Sequence, residues 1–191
     1  MPFQGEVVVS PVQPAGKRWT VKQPFSYTGK TESFTVPADF TTDFASVPRV
    51  FSWLLPRYGR WTQAAILHDY LWGESKKGEA ALNKFDADGL FNRAMRELGV
   101  PYLRRWIMWA AVRWASGPKT WFFRGPLPFI KMLAITLLAL PVILPTSAAV
   151  FIGLVAGALA EFLAYLPLRI FHRDKSKPVN KPDVSDIWSA G

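Results

Sequence analysis

The chain has 191 residues, 50% of them hydrophobic and 15% aromatic, enough apolar mass for a folded domain and an additional segment, which excludes wholesale disorder. The absence of cysteine excludes a disulfide scaffold, a thiolate zinc site and a cysteine nucleophile, and two histidines are too few for the multi-histidine metal centres of HD phosphohydrolases. A formal charge of +9 asks for an anionic partner; residues 1–126 hold 17 Lys+Arg against 10 Asp+Glu, so the positive field belongs to the N-terminal part.

The first 16 residues, MPFQGEVVVSPVQPAG, lack the charged start and long apolar core of a signal peptide. In RWTVKQPFSYTGKTESFTVPADF, apolar and polar residues alternate on both sides of Thr28-Gly29-Lys30-Thr31. That pattern predicts a β-hairpin with Phe25, Tyr27, Phe34 and Val36 on its buried face. TTDFASVPRVFSWLLPRYGR follows as a loop or short helix, interrupted by Pro48 and Pro56.

Residues 61–72, WTQAAILHDYLW, predict an amphipathic helix whose apolar stripe runs through Trp61, Ala64, Ala65, His68, Leu71 and Trp72. Gly73 to Gly78 reads as a tight connection to an antiparallel second helix over residues 79–98, ending at Gly99. Asp88 falls within the apolar stripe of that second helix, three residues from both Phe85 and Phe91. A third helix over residues 101–116 begins at a proline and carries Trp106, Trp109 and Trp114 with Arg104, Arg105 and Arg113. The following GPKTWFFRGP mixes aromatic and cationic residues as a membrane-interface anchor does, and as an ordinary surface loop also can.

From Met132 to Ala160 no charged residue occurs, a run of 29 that exceeds the roughly 20 residues needed to span a bilayer. Pro141, Pro145, Thr146 and Ser147 near its middle predict two membrane helices, a hairpin within residues 126–171. The alternative is a helical pair buried in a soluble core. In a hairpin, Lys131 and Glu161 would lie at similar depth, facing one another or near one interface. Basic residues on both flanks and none in the turn would put both ends, and the N-terminal domain, on the cytoplasmic side. The expected organisation is a domain over residues 1–125, mainly α with a small N-terminal β-hairpin or meander, then the transmembrane hairpin, then a disordered polar tail over residues 172–191.

Two adjacent antiparallel helices, each with one ionisable side chain on its apolar face, can bury His68 against Asp88. The carboxylate would fix the imidazole tautomer and leave the other ring nitrogen free to take a proton from water. Asp69 points about 100° away around the helix and could hold a hard cation such as calcium or magnesium, with Asp43 as a further oxygen donor. Singly, a histidine on a helix is more often a satisfied core residue, and an inward aspartate more often a structural acceptor. It is their occurrence on successive helices that points to a site.

The strings TDFASVPR, HDYLW and ADGLFNRAM resemble an uncharacterised family of small bacterial and bacteriophage proteins, over about residues 20–115. The same spacing is similar to phospholipase A₂ enzymes, in His68-Asp69 followed by a tyrosine, in Asp88 with Phe91 and Met95, and in Asp43, Ser46 and Pro48 of the preceding loop. That resemblance implies a phospholipase-A₂-like antiparallel helix pair, with His68 as the water-activating base, Asp88 as its orienting partner, and Asp69 with Asp43 as calcium ligands. Trp72 stands where the network's tyrosine would be, and the loop lacks the expected glycines. The partners expected are a phospholipid bilayer and its anionic surface; no nucleic-acid motif is present, so nucleic acid is not expected. The competing expectation is a non-enzymatic phage membrane or virion component with a structural, lysis or exclusion role.

Overall fold

The computed structural model describes residues 2–12, 18–44, 47, 49–77, 82–115 and 126–171. Six short strands come first: β1 (Phe3–Gln4), β2 (Val9–Pro11), β3 (Trp19–Val21), β4 (Phe25–Thr28), β5 (Ser33–Val36) and β6 (Thr41–Thr42). They pair into two antiparallel three-stranded sheets, ordered β1-β4-β5 and β2-β3-β6. A 3-10 turn at Arg49–Phe51 leads to α1 (Thr62–Lys77), α2 (Lys84–Glu97), α3 (Tyr102–Ala115) and α4 (Pro126–Phe171).

The hairpin predicted from alternation is β4-β5, with Phe25 opposite Val36 and Tyr27 opposite Phe34. Phe25, Tyr27 and Val36 are buried, Phe34 is half-buried against the core, and Phe3 from β1 closes over Tyr27 with ring centroids 5.0 Å apart. Each such side chain removed from water contributes on the order of 1.5–3 kcal/mol. The hairpin is tied to α2 by the Tyr27 hydroxyl, which donates to Glu97 Oε2 at 2.8 Å, and by an Arg93–Glu32 ion pair. The second sheet was not expected, because strands of two or three residues are too short to show a period of two.

The three domain helices form where the apolar spacing predicts them, with shifted ends. α1 continues past Gly73 to Lys77; residue 78, the last of the predicted connection, and residues 79–81, predicted to open the second helix, lie outside the described residues. α2 starts later than predicted because Asn83 caps it, its side chain accepting from the Asp86 amide at 3.1 Å. It ends as predicted at Gly99, whose φ of +70° lets the Val100 amide bond to the Met95 carbonyl and its own amide to that of Arg96. Met95 and Val100 are both buried at that corner. The interface-like loop after α3, the tail over residues 172–191, and Ser46 and Pro48 lie outside the described residues.

α4 corrects the predicted hairpin. It is one continuous helix of 46 residues that passes through Pro141, Pro145 and Pro167 without reversing. Each proline removes one backbone donor, here the partners of the Leu137, Pro141 and Leu163 carbonyls, and helices in apolar surroundings tolerate such losses through local adjustment. Beside Pro145 the Thr146 hydroxyl bonds back to Val142 O at 2.8 Å. The expected meeting of Lys131 with Glu161 fails with the hairpin, since 30 residues of continuous helix separate them by about 45 Å. Lys131 instead places its ammonium 4.0 Å from the centroid of the Trp106 ring. The inference that both flanks share one side of a membrane also loses its basis.

The stretch Pro126–Pro167 is long and apolar enough to cross a membrane, and only 11% of its most apolar window is buried, which argues against the soluble buried pair. Its first half docks on the domain. Met132, Ala139 and Ser147 are buried along one face, Met132 packs with Trp109 and Ala110 of α3, Trp114 donates to Thr136 at 3.1 Å, and Trp53 donates to Ser147 at 3.4 Å. Leu127, Leu138 and Leu144, among others, remain exposed on the outer side.

Candidate functional site

His68 sits in the middle of α1 and Asp88 in the second turn of α2, and the antiparallel packing of these helices turns each toward the other. His68 Nε2 lies 2.8 Å from Asp88 Oδ1, a full hydrogen bond, and Asp88 is completely buried. Phe91, one turn after Asp88, lies against the imidazole with centroids 5.0 Å apart. With Nε2 committed to Asp88, Nδ1 is the ring atom left to do chemistry.

On that side stands Asp69, whose Oδ1 is 3.9 Å from His68 Nδ1, ion-pair reach rather than a hydrogen bond. Its other oxygen accepts from the Thr42 hydroxyl at 2.6 Å, and the same hydroxyl oxygen accepts from the Phe44 amide at 2.9 Å. This double use of Thr42 holds the Asp43-containing turn to α1. Phe44 adopts φ of 60°, a left-handed conformation that costs a bulky side chain on the order of 1–2 kcal/mol. Burial of its ring and the Thr42 bond hold it there.

Burial disfavours charge on His68, but the carboxylates of Asp69 and Asp88 outweigh it and raise its pKa to about 9. At neutral pH the ring is an imidazolium between two acids. Burial also pushes the Asp69 carboxyl above its ordinary range, against the opposing influence of His68 and Thr42.

His68, Asp69 and Asp43 line one cavity of about 330 Å³, otherwise walled by apolar groups including Phe44, Leu55, Trp72, Met108 and Ala111. The structure thus brings together all four residues singled out in the sequence: His68 with Asp88 in direct contact, and Asp69 with Asp43 on the wall of the same cavity. Among the described residues, no group of three or more His, Asp and Glu side chains is arranged to hold a metal ion. Asp43 and Asp69 present two carboxylates where calcium takes about six to eight oxygens.

Two participants were not recognised from the sequence. Thr42 is one, hidden in a threonine pair whose neighbour Asp43 drew attention as a possible ligand. Arg113 is the other: it is 3% exposed, its Nη1 lies 3.4 Å from Asp88 Oδ2, and its Nη2 donates to the Phe85 carbonyl at 2.8 Å. The i, i+4 spacing of Trp109 and Arg113, which puts them on one face of α3, was the available signal.

No curated protein and no solved structure matches the chain. A family model does match residues 19–112, a stretch that begins at β3 and ends within α3 and so contains His68, Asp69, Asp43 and Asp88. Over residues 19–112, just under half of the chain, the match is to the family described as protein of unknown function, DUF1353.

Proposed function

We propose that the chain is a membrane-anchored hydrolase of lipid-like esters, acting at an anionic phospholipid bilayer as part of a phage or prophage. The observation that carries this reading is the 2.8 Å contact of His68 Nε2 with Asp88 Oδ1 at the wall of an apolar cavity. Asp88 fixes the tautomer, and the neutral form of His68 takes a proton at Nδ1 from an attacking water. The cavity wall suits an acyl chain, and α4 holds the domain where such chains are found. Asp69 and Asp43 are the residues that would hold calcium, which would polarise the ester carbonyl; the remaining oxygens would come from water and substrate.

The test is hydrolysis of a phospholipid labelled in its sn-2 chain by full-length protein in mixed micelles, with calcium or with chelator. Release of label by wild type and its loss in His68→Asn is the expected result. Equal release by both proteins refutes the assignment of His68.

A second reading draws on the raised pKa of His68. An imidazolium fixed between two carboxylates is a poor base at pH 7, and the same residues then serve as an ionic tie between helices in a non-enzymatic phage membrane or virion component. Wild-type protein that releases no label at any pH up to 9, while retaining its fold, favours that reading.

A further inference from the structure

We propose that Arg113 is a positioning residue for the His68–Asp88 pair, holding the Asp88 carboxylate in the orientation that engages the imidazole. The proposal takes the reaction itself from the hydrolase reading above. The two oxygens of Asp88 are divided between two helices: Oδ1 meets His68 of α1 at 2.8 Å and Oδ2 meets Arg113 of α3 at 3.4 Å. Rotation of the carboxylate about its own axis would disturb both contacts at once.

Arg113 can act as the fixed member because its place is set without Asp88. Nη2 donates to the Phe85 carbonyl, the guanidinium lies 3.5 Å from the centroid of the Phe85 ring, and the Trp109 ring flanks it at 5.3 Å. A planar guanidinium can satisfy a carbonyl, a ring face and a carboxylate together. It also brings a permanent positive charge to a fully buried aspartate. Arg104 and Arg105, on the same helix, lie against the Trp61, Tyr102 and Trp106 rings instead. Of the three arginines on α3, Arg113 is the one whose guanidinium reaches Asp88, so its role is set by position and not by the basic character of the helix.

The competing view is that Arg113 only clamps α3 to α2 through Phe85. Imidazole ¹⁵N–¹H spectra of full-length protein in detergent micelles separate the two, since His172 is the only other histidine to assign. In wild type the His68 Nε2 proton should be visible and slow to exchange with water. Arg113→Gln keeps an amide donor for the Phe85 carbonyl but loses the charge, and should speed that exchange at least tenfold while the α2 amide signals stay in place. Arg113→Lys, which restores the charge, should recover most of the protection. Unchanged exchange in Arg113→Gln, or failure of Arg113→Lys to recover it, overturns the proposal. Should Arg113→Gln not fold, the Lys variant and wild type still decide: faster exchange in Arg113→Lys with α2 intact counts against the charge as the positioning element. In a lipid hydrolysis assay the Gln variant should lose kcat with KM little changed. Wild type without hydrolysis would refute the hydrolase reading and leave the exchange result standing.

Discussion

Raising the pH from 6.5 to 9 should weaken the fold through one residue, His68. Its pKa in the folded chain is about 9 against an ordinary 6.5, because the carboxylates of Asp69 and Asp88 outweigh the burial that opposes its charge. The folded state therefore holds the proton more tightly than the unfolded chain. Each pH unit between the two values is worth about 1.4 kcal/mol, so the contribution is roughly 3 kcal/mol. Below 6.5 both states carry the proton and the stabilisation is fully present; above 6.5 the unfolded chain releases it first, and by pH 9 the contribution is gone. Tyr27, raised above 10.0, enters only beyond that window. The measurement is denaturant unfolding of full-length protein in non-ionic micelles, followed by tryptophan fluorescence, for wild type and His68→Gln. Because Asp69 is present in both proteins, the difference between their curves reads mainly His68. Wild type should lose about 3 kcal/mol relative to His68→Gln across the window. Parallel curves, within about 1 kcal/mol, would refute the claim that two carboxylates hold a buried imidazolium.

Asp88→Asn should cost about 3–5 kcal/mol, since it leaves the buried Arg113 guanidinium without its carboxylate, and the pair Asp88→Leu with Arg113→Met should recover much of that loss in the same unfolding assay. Thr42→Val removes the donor to Asp69 and the acceptor for the Phe44 amide together; a loss of about 1–3 kcal/mol is expected, with faster amide exchange at Phe44. Gly99→Ala should cost about 1 kcal/mol, because φ of +70° at the end of α2 suits a residue without a Cβ. The lack of native cysteine makes α4 simple to measure: spin labels at Leu127→Cys and Leu166→Cys should lie about 58 Å apart along a continuous helix, whereas a hairpin would bring the two arms to an axial separation of about 10 Å.

The sequence is most readable where one face of an element is buried and the opposite face is wet. β4-β5 and α1 to α3 follow from alternation and helical spacing because Phe25, Tyr27, Ala64, Leu71, Phe91 and Met95 all turn inward. His68 and Asp88 stood out for the same reason, as polar exceptions in apolar stripes. Arg113 did not, because a long side chain on a basic helix looks alike whether it ends in solvent or reaches across to α2; only the packing distinguishes it from Arg104 and Arg105. α4 failed in the opposite way. With apolar residues on all sides it has no periodicity to fix a turn, so the prolines became the sole punctuation, and a helix in apolar surroundings can absorb a proline that a helix in water would not.

The placement of the three charged residues carries a consequence for α4. His68, Asp88 and Arg113 come one from each of α1, α2 and α3, so satisfying both oxygens of Asp88 fixes the relative register of all three helices. A slip of one helix by a single turn, about 5.4 Å, would leave a buried charge unmatched, which is why a polar network specifies an arrangement more sharply than leucines alone. α3 then transmits that register outward. Its Trp109 and Ala110 seat Met132 and its Trp114 seats Thr136 of α4, while its Ala111 and Val112 wall the cavity beside His68. One helix is therefore shared by the ionic centre, the cavity and the seat of α4. The height of the cavity relative to the start of the apolar helix is set by rigid packing across α3, so a bilayer that fixes the depth of α4 fixes the depth of His68 as well.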